Sequence, residues 1–116
     1  MLEEYDLGAT QLFDINLYRN PTLPLKDNPY AIVNCLEAKE CLVPDQSPVR
    51  AVRGTEYWRC SPPNLPNLTV RESASEGVDL WYDPLVRKQI FFSDRLARRL
   101  IEEGFTGINL FLLKTI

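Results

Sequence analysis

The chain has 116 residues, 45% of them hydrophobic and 25% charged, with 16 acidic against 13 basic side chains for a net charge of −3. That length is enough to bury roughly two-thirds of the surface an unfolded chain exposes, the composition is that of a globular domain rather than a disordered or coiled one, and the mild acidity argues against a nucleic-acid surface. No apolar run approaches the ~20 residues that cross a bilayer, and MLEEYDLG lacks the basic start and apolar stretch of a signal peptide, so no membrane partner is expected and the expected compartment is the cytoplasm.

In chain order, QLFDINLY alternates, with Phe13, Ile15 and Leu17 on one face and Asp14, Asn16 and Tyr18 on the other, the period of a half-buried strand. RNPTLPLKDNP packs three prolines, two asparagines and an aspartate into eleven residues and reads as a loop. YAIVNCLEA is a second apolar strand, and KECLVP continues or pairs with it, with helix also open for CLEAKECL; Pro44, Asp45, Ser47 and Pro48 mark a turn beyond. VRAVRGTEYWRC predicts two short strands around a turn at Gly54, whereas SPPNLPNLTVRESASEG, rich in Pro, Ser and Asn, predicts a surface loop. VDLWYD and KQIFFS follow as strands separated by the Asp83-Pro84 turn.

Ser93 is placed to cap a helix over residues 94–103, with its hydroxyl accepting the N–H of Arg95 or Leu96 and Asp94 at the positive helix end. Leu96, Ala97, Leu100 and Ile101 form its apolar stripe. Gly104 can take the left-handed conformation that ends a helix, and Phe105 is placed to fold back on Leu100. INLFLLKTI is then a final strand. Strands gathered ahead of one principal helix give an α+β fold with a mainly antiparallel sheet, in a single domain spanning 1–116. MLEEYDLGATQLF echoes LIEEGFTGINLF, either as a duplicated helix-strand unit or by coincidence. Met1 to Asp6 are expected to be loosely held.

The chain has no histidine, which removes the commonest general base, the usual partner of Ser and Cys nucleophiles, and the commonest zinc ligand. Cys35, Cys41 and Cys60 lack zinc-site spacing and read as free structural thiols, so no metal and no cofactor is expected. Glu37 with Glu40, Asp79 with Asp83, and Glu102 with Glu103 are the carboxylate pairs available for acid/base work. Scattered glycines form no phosphate-binding loop. Arg50, Arg53 and Arg59 cluster around Tyr57 and Trp58, a mix that could stack on bases but is also favoured at protein interfaces; a third reading puts Trp58 in the core with Tyr57 and Arg59 facing out.

The pattern YAIVNCLEAKECLVPDQS, followed by DLWYDP and IFFSDRLARRLIEEGFTGINL, resembles the immunity-protein family numbered eleven among bacterial polymorphic toxin systems. The likeness runs through Asn34 to Asp45-Gln46-Ser47, Ile90 to Ser93 and Phe105-Thr106-Gly107, and covers most of residues 10 to 112. It implies a non-catalytic protein, not an enzyme, that binds and neutralises a cognate protein toxin in interbacterial competition, and it carries over no catalytic residue. The candidate partner-binding residues are Tyr57, Trp58 and Arg59 with nearby Glu56, chosen because Trp, Tyr and Arg dominate binding hot spots. Members of that family carry a further helix-strand unit ahead of the matched region, so the resemblance also implies that the domain lacks an N-terminal helix-containing segment. Two other readings stand beside it. One is a small histidine-free hydrolase using paired carboxylates, which predicts two facing carboxyl groups in a pocket with a raised pKa. The other is a subunit completed by another chain, with an exposed apolar face that drives dimerisation and allows a homodimer.

Overall fold

Five two-stranded ladders and one helix organise residues 1–21, 23–24, 30–86 and 88–116, the residues that the computed structural model describes. In chain order these are β1 (Gln11–Ile15), β2 (Tyr18–Asn20), β3 (Leu23–Pro24), β4 (Tyr30–Asn34), β5 (Arg50–Ala51), β6 (Trp58–Arg59), β7 (Thr69–Val70), β8 (Leu80–Trp81), β9 (Phe91–Phe92), α1 (Asp94–Glu102) and β10 (Lys114–Thr115). The class is α+β, as the order of elements predicts. β1–β4, β2–β3, β5–β6 and β8–β9 are antiparallel, and β10–β7 is parallel. The RNPTLPLKDNP stretch is not wholly loop, because β2 and β3 take part of it; its Thr22 and residues 25–29 lie outside the described residues. No helix forms over CLEAKECL.

The core lies in the middle and C-terminal parts of the chain. Cys41, Val70, Ala74, Val78, Trp81 and Phe91 form one buried cluster, with the Trp81 and Phe91 rings stacked at 6.1 Å between centroids. Leu42, Leu68 and Val86 form a second, and Leu80, Leu96 and Leu100 a third. Contrary to the surface-loop expectation, the Pro- and Ser-rich stretch supplies Leu68, Thr69, Val70 and Ala74 to this interior. Its prolines shape a 3-10 turn over Pro62–Asn67, and the three residues that follow are sandwiched between neighbours. Val43 N–H donates to the Thr69 carbonyl at 2.9 Å and Arg71 N–H to the Cys41 carbonyl at 2.7 Å on one side. On the other, Ile116 N–H donates to the Val70 carbonyl at 3.1 Å. A proline-free Leu-Thr-Val run thus satisfies its backbone on both edges, the condition under which a strand can be buried.

The helix matches its capping signals, but its apolar stripe is narrower than expected: Leu96 and Leu100 are buried while Ile101 stays 67% exposed, beyond the reach of the core. Ser93 Oγ accepts from Leu96 N–H at 3.2 Å, and Gly104, at φ 73°, ends it. Phe105 N–H reaches the Leu100 carbonyl at 3.2 Å and Gly104 N–H the Ile101 carbonyl at 3.1 Å, the paired bonds of a Schellman motif. Two local expectations are corrected. The final strand spans only Lys114–Thr115, since residues 105–113 cross the surface without regular pairing. Met1 to Asp6 are not loose: Met1, Leu2, Tyr5 and Leu7 pack against Leu80, Leu96 and Leu100, Asp79 N–H donates to the Asp6 carbonyl at 2.7 Å, and Asp6 N–H donates to the Asp79 carboxylate at 2.9 Å. The sequence echo is matched only in part: Leu2–Glu4 forms a 3-10 turn where Ile101 and Glu102 end α1, but Leu12-Phe13 lies in β1 while Leu110-Phe111 is irregular.

β1 and β4 form a ribbon with Phe13 opposite Ile32 and Leu12 opposite Val33. Phe13 and Ile32 stay about half exposed at 48% and 52%, so the alternating pattern identifies the strand but not a buried face. The radius of gyration is 16.3 Å, against about 13 Å for a compact chain of this length. No helix among the described residues is long and apolar enough to cross a membrane.

Candidate functional site

The β5–β6 hairpin carries all four residues nominated from the sequence, and its register separates them. Arg50 pairs with Arg59 and Ala51 with Trp58; Val52 N–H donates to the Tyr57 carbonyl at 3.0 Å, extending the ladder by one further pair. Because successive side chains alternate across a strand, Arg50, Val52, Tyr57 and Arg59 share one face and Ala51 and Trp58 the other. Trp58 is half-buried against Leu42, Leu68 and Val86, and its N–H donates to the Leu85 carbonyl at 2.7 Å. It braces the hairpin against the core without entering it, so the third of the sequence readings holds only in part; Arg59 is exposed and Tyr57, like Trp58, half-buried.

The turn is locked locally. Gly54 takes φ 76°, a conformation that favours glycine, and the Thr55 hydroxyl donates to the Val52 carbonyl at 2.8 Å while accepting Tyr57 N–H at 3.2 Å. Glu56 is exposed on this turn. Residues 56, 57 and 59 therefore crown a supported ridge, and Trp58 supports it from beneath. The sequence names Arg50 but not its role as the cross-strand partner of Arg59. The signal that could have found it is the turn centred on Gly54 and Thr55, which sets position 50 opposite position 59.

Four of the six carboxylates proposed for acid/base work, at least one in every pair, are committed elsewhere; Glu40 and Glu102 are exposed. Asp83 is buried and accepts Cys41 N–H at 2.9 Å, Leu42 N–H at 3.0 Å and Leu85 N–H at 2.9 Å. Asp79 is also buried and accepts from the Ser93 hydroxyl, from Asp6 N–H and from both Nε and Nη2 of Arg95. Burial pushes the Asp79 carboxyl up, but the hydrogen bonds from Arg95, Ser93 and Asp6 together with the Arg95 charge outweigh it, leaving its pKa below the usual carboxylate value. That is the opposite of the direction a carboxylic acid catalyst needs. Glu37 accepts Ala9 N–H at 2.8 Å and so tethers the N-terminal segment, and Glu103 pairs with Arg99 at 2.8 Å.

Burial raises the Cys41 thiol to about 11, keeping it protonated and inert at neutral pH. Cys35, Cys41 and Cys60 are free thiols, and no group of three or more His, Cys, Asp or Glu among the described residues could hold a metal ion. A cleft of about 460 Å³ is lined by Val33, Cys35, Tyr82, Asp83, Val86 and Ile90 among others; its lining is mainly apolar, and its one carboxylate is the one occupied by three backbone N–H groups. Comparison with protein-family models, with curated proteins and with solved structures finds no match to this chain.

Proposed function

We propose that this chain is an immunity protein that binds and neutralises a cognate bacterial toxin without catalysis, acting in the cytoplasm and docking through the outward face of the β5–β6 hairpin. The observation that carries the reading is the ridge itself: Tyr57 and Arg59 sit on a hairpin whose Trp58 is half-buried against the core. Tyrosine and arginine are the residues that concentrate binding energy at protein interfaces, and rigid presentation lowers the ordering cost of association. The sequence resemblance to the eleventh immunity family supports the same class of function. A stable complex requires about 800 Å² from each partner, so the interface extends beyond the hairpin onto its neighbours. The occupied states of Asp79 and Asp83 give paired-carboxylate hydrolysis no comparable support.

The test is co-expression with the product of the adjacent gene. Growth arrest by that product alone, relieved when this chain is present, is the expected result. Undiminished toxicity in the presence of soluble, folded chain would overturn the proposal.

A further inference from the structure

We infer that the outward face of the hairpin receives a carboxylate-rich segment of a protein partner, with Arg50 and Arg59 closing on one acidic side chain and Arg53 available to a second. The inference rests on the reading of this face as the docking surface and adds the chemistry of what docks there.

Arg50 and Arg59 are directly opposed in the ladder. Hydrogen-bonded and non-bonded pairs alternate along an antiparallel ladder, and the Val52–Tyr57 pair is hydrogen-bonded, so Arg50–Arg59, two steps away, is of the same kind, with Cα atoms about 5.5 Å apart. Both side chains are exposed, as is Arg53 on the turn. Like charges held opposite one another on a sheet repel, and none of these three arginines has an ion pair among the described residues. The arginines of α1 are treated differently: Arg95, Arg98 and Arg99 pair with Asp79, Asp94 and Glu103. A carboxylate placed between Arg50 and Arg59 converts their repulsion into charge-assisted hydrogen bonds, for which the planar guanidinium fork is suited. Tyr57 on the same face adds an amphipathic ring beside that point.

The same observations favour an acidic protein segment over nucleic acid. The whole chain has 13 basic and 16 acidic residues; setting the three arginines aside leaves 10 against 16, a balance of −6. Nucleic-acid affinity grows with the number of phosphates neutralised, and a polyphosphate running past the hairpin meets that acidic remainder. An acidic side-chain cluster needs only the hairpin, whose charges are felt within a screening length of about 8 Å at physiological salt.

The experiment titrates the full-length, isotope-labelled chain with a glutamate-rich peptide, with its glutamine counterpart, and with a thymidine oligonucleotide of equal charge, following the backbone amide spectrum. The expected result is salt-sensitive shifts centred on residues 50–59 for the glutamate peptide alone, weakened at least about tenfold by the pair Arg50→Gln and Arg59→Gln and unchanged by Lys114→Gln. The amide spectrum of each variant reports whether it is folded, and the single variants Arg50→Gln and Arg59→Gln stand in if the pair is not. Shifts centred elsewhere, no glutamate-specific shifts, or tighter binding of the oligonucleotide would overturn the inference. The co-expression assay separates the two claims: wild-type chain that fails to relieve toxicity while still binding the glutamate peptide sinks the immunity reading alone. Relief that survives both arginine substitutions sinks this inference alone.

Discussion

Asp79→Asn tests whether one buried carboxylate joins the N-terminal segment to the helix start. Asp79 contacts residues far apart in sequence: its carboxylate accepts from Asp6 N–H at 2.9 Å and from the Ser93 hydroxyl that also caps α1, and its backbone pairs with Asp6 and with Ser93. Arg95 completes the set and lies over the Tyr5 ring at 4.8 Å, but it is largely solvated and adds little to stability. Two hydrogen bonds to a buried charge are worth about 3 kcal/mol together, at the low end of the range for charged partners. With a urea m-value of about 1.5 kcal/mol/M, the midpoint falls by roughly 2 M.

The pH dependence has a definite sign. The folded-state pKa of Asp79 is lowered, so its stabilisation is fully present above the unfolded value near 3.9 and is lost as pH falls through the folded value. The gap in urea midpoint between wild type and variant should therefore be wide at neutral pH and close in acid. A midpoint shift under about 0.3 M, or a gap that widens as pH falls, would refute the reasoning.

Trp58→Ala should lower stability by about 2 to 3 kcal/mol, less than full burial would cost because the ring is half-buried, whereas Tyr57→Ala should cost under about 1 kcal/mol and show its effect in partner affinity; thermal unfolding beside the co-expression assay separates the two. Gly104→Ala places a Cβ at φ 73° and should cost about 1 kcal/mol, lowering Tm by roughly 4 °C, with an unchanged Tm counting against the Schellman cap. Cys41, buried and raised to about 11, should resist thiol reagents at about pH 8 in the native state and react once unfolded; peptide mapping that finds it labelled at the rate of a free thiol would contradict its burial.

Much of the C-terminal third is legible without the structure. Ser93, Asp94 and Gly104 act on the backbone within one turn of their own positions, so the start and the stop of α1 are written locally, whereas which of its apolar residues are buried is not: Leu96 and Leu100 are, Ile101 is not. The β5–β6 hairpin is legible for the same reason, since Gly54 marks its turn and β-branched and aromatic residues flank it. In the candidate site, the four nominated residues fall on one hairpin, yet that the face of Trp58 and not that of Tyr57 and Arg59 turns to the core follows only from a contact with Leu42, Leu68 and Val86. The stretch SPPNLPNLTVRESASEG misleads because proline and serine dominate its composition, while its burial depends on Leu68, Thr69, Val70 and Ala74.

The sequence by itself determined the α+β class, α1 with both its caps, and the hairpin turn, because each follows from residues that interact over three or four positions. Tertiary structure decided the rest: the placement of residues 68–70 between 41–43 and β10, the binding of Met1 to Asp6 through Asp79, and the alignment of Arg50 with Arg59. These depend on pairings between distant segments, where one strand's unsatisfied edge selects another's. Period and propensity say that a segment can form a strand; only its partner fixes which side of it meets the core.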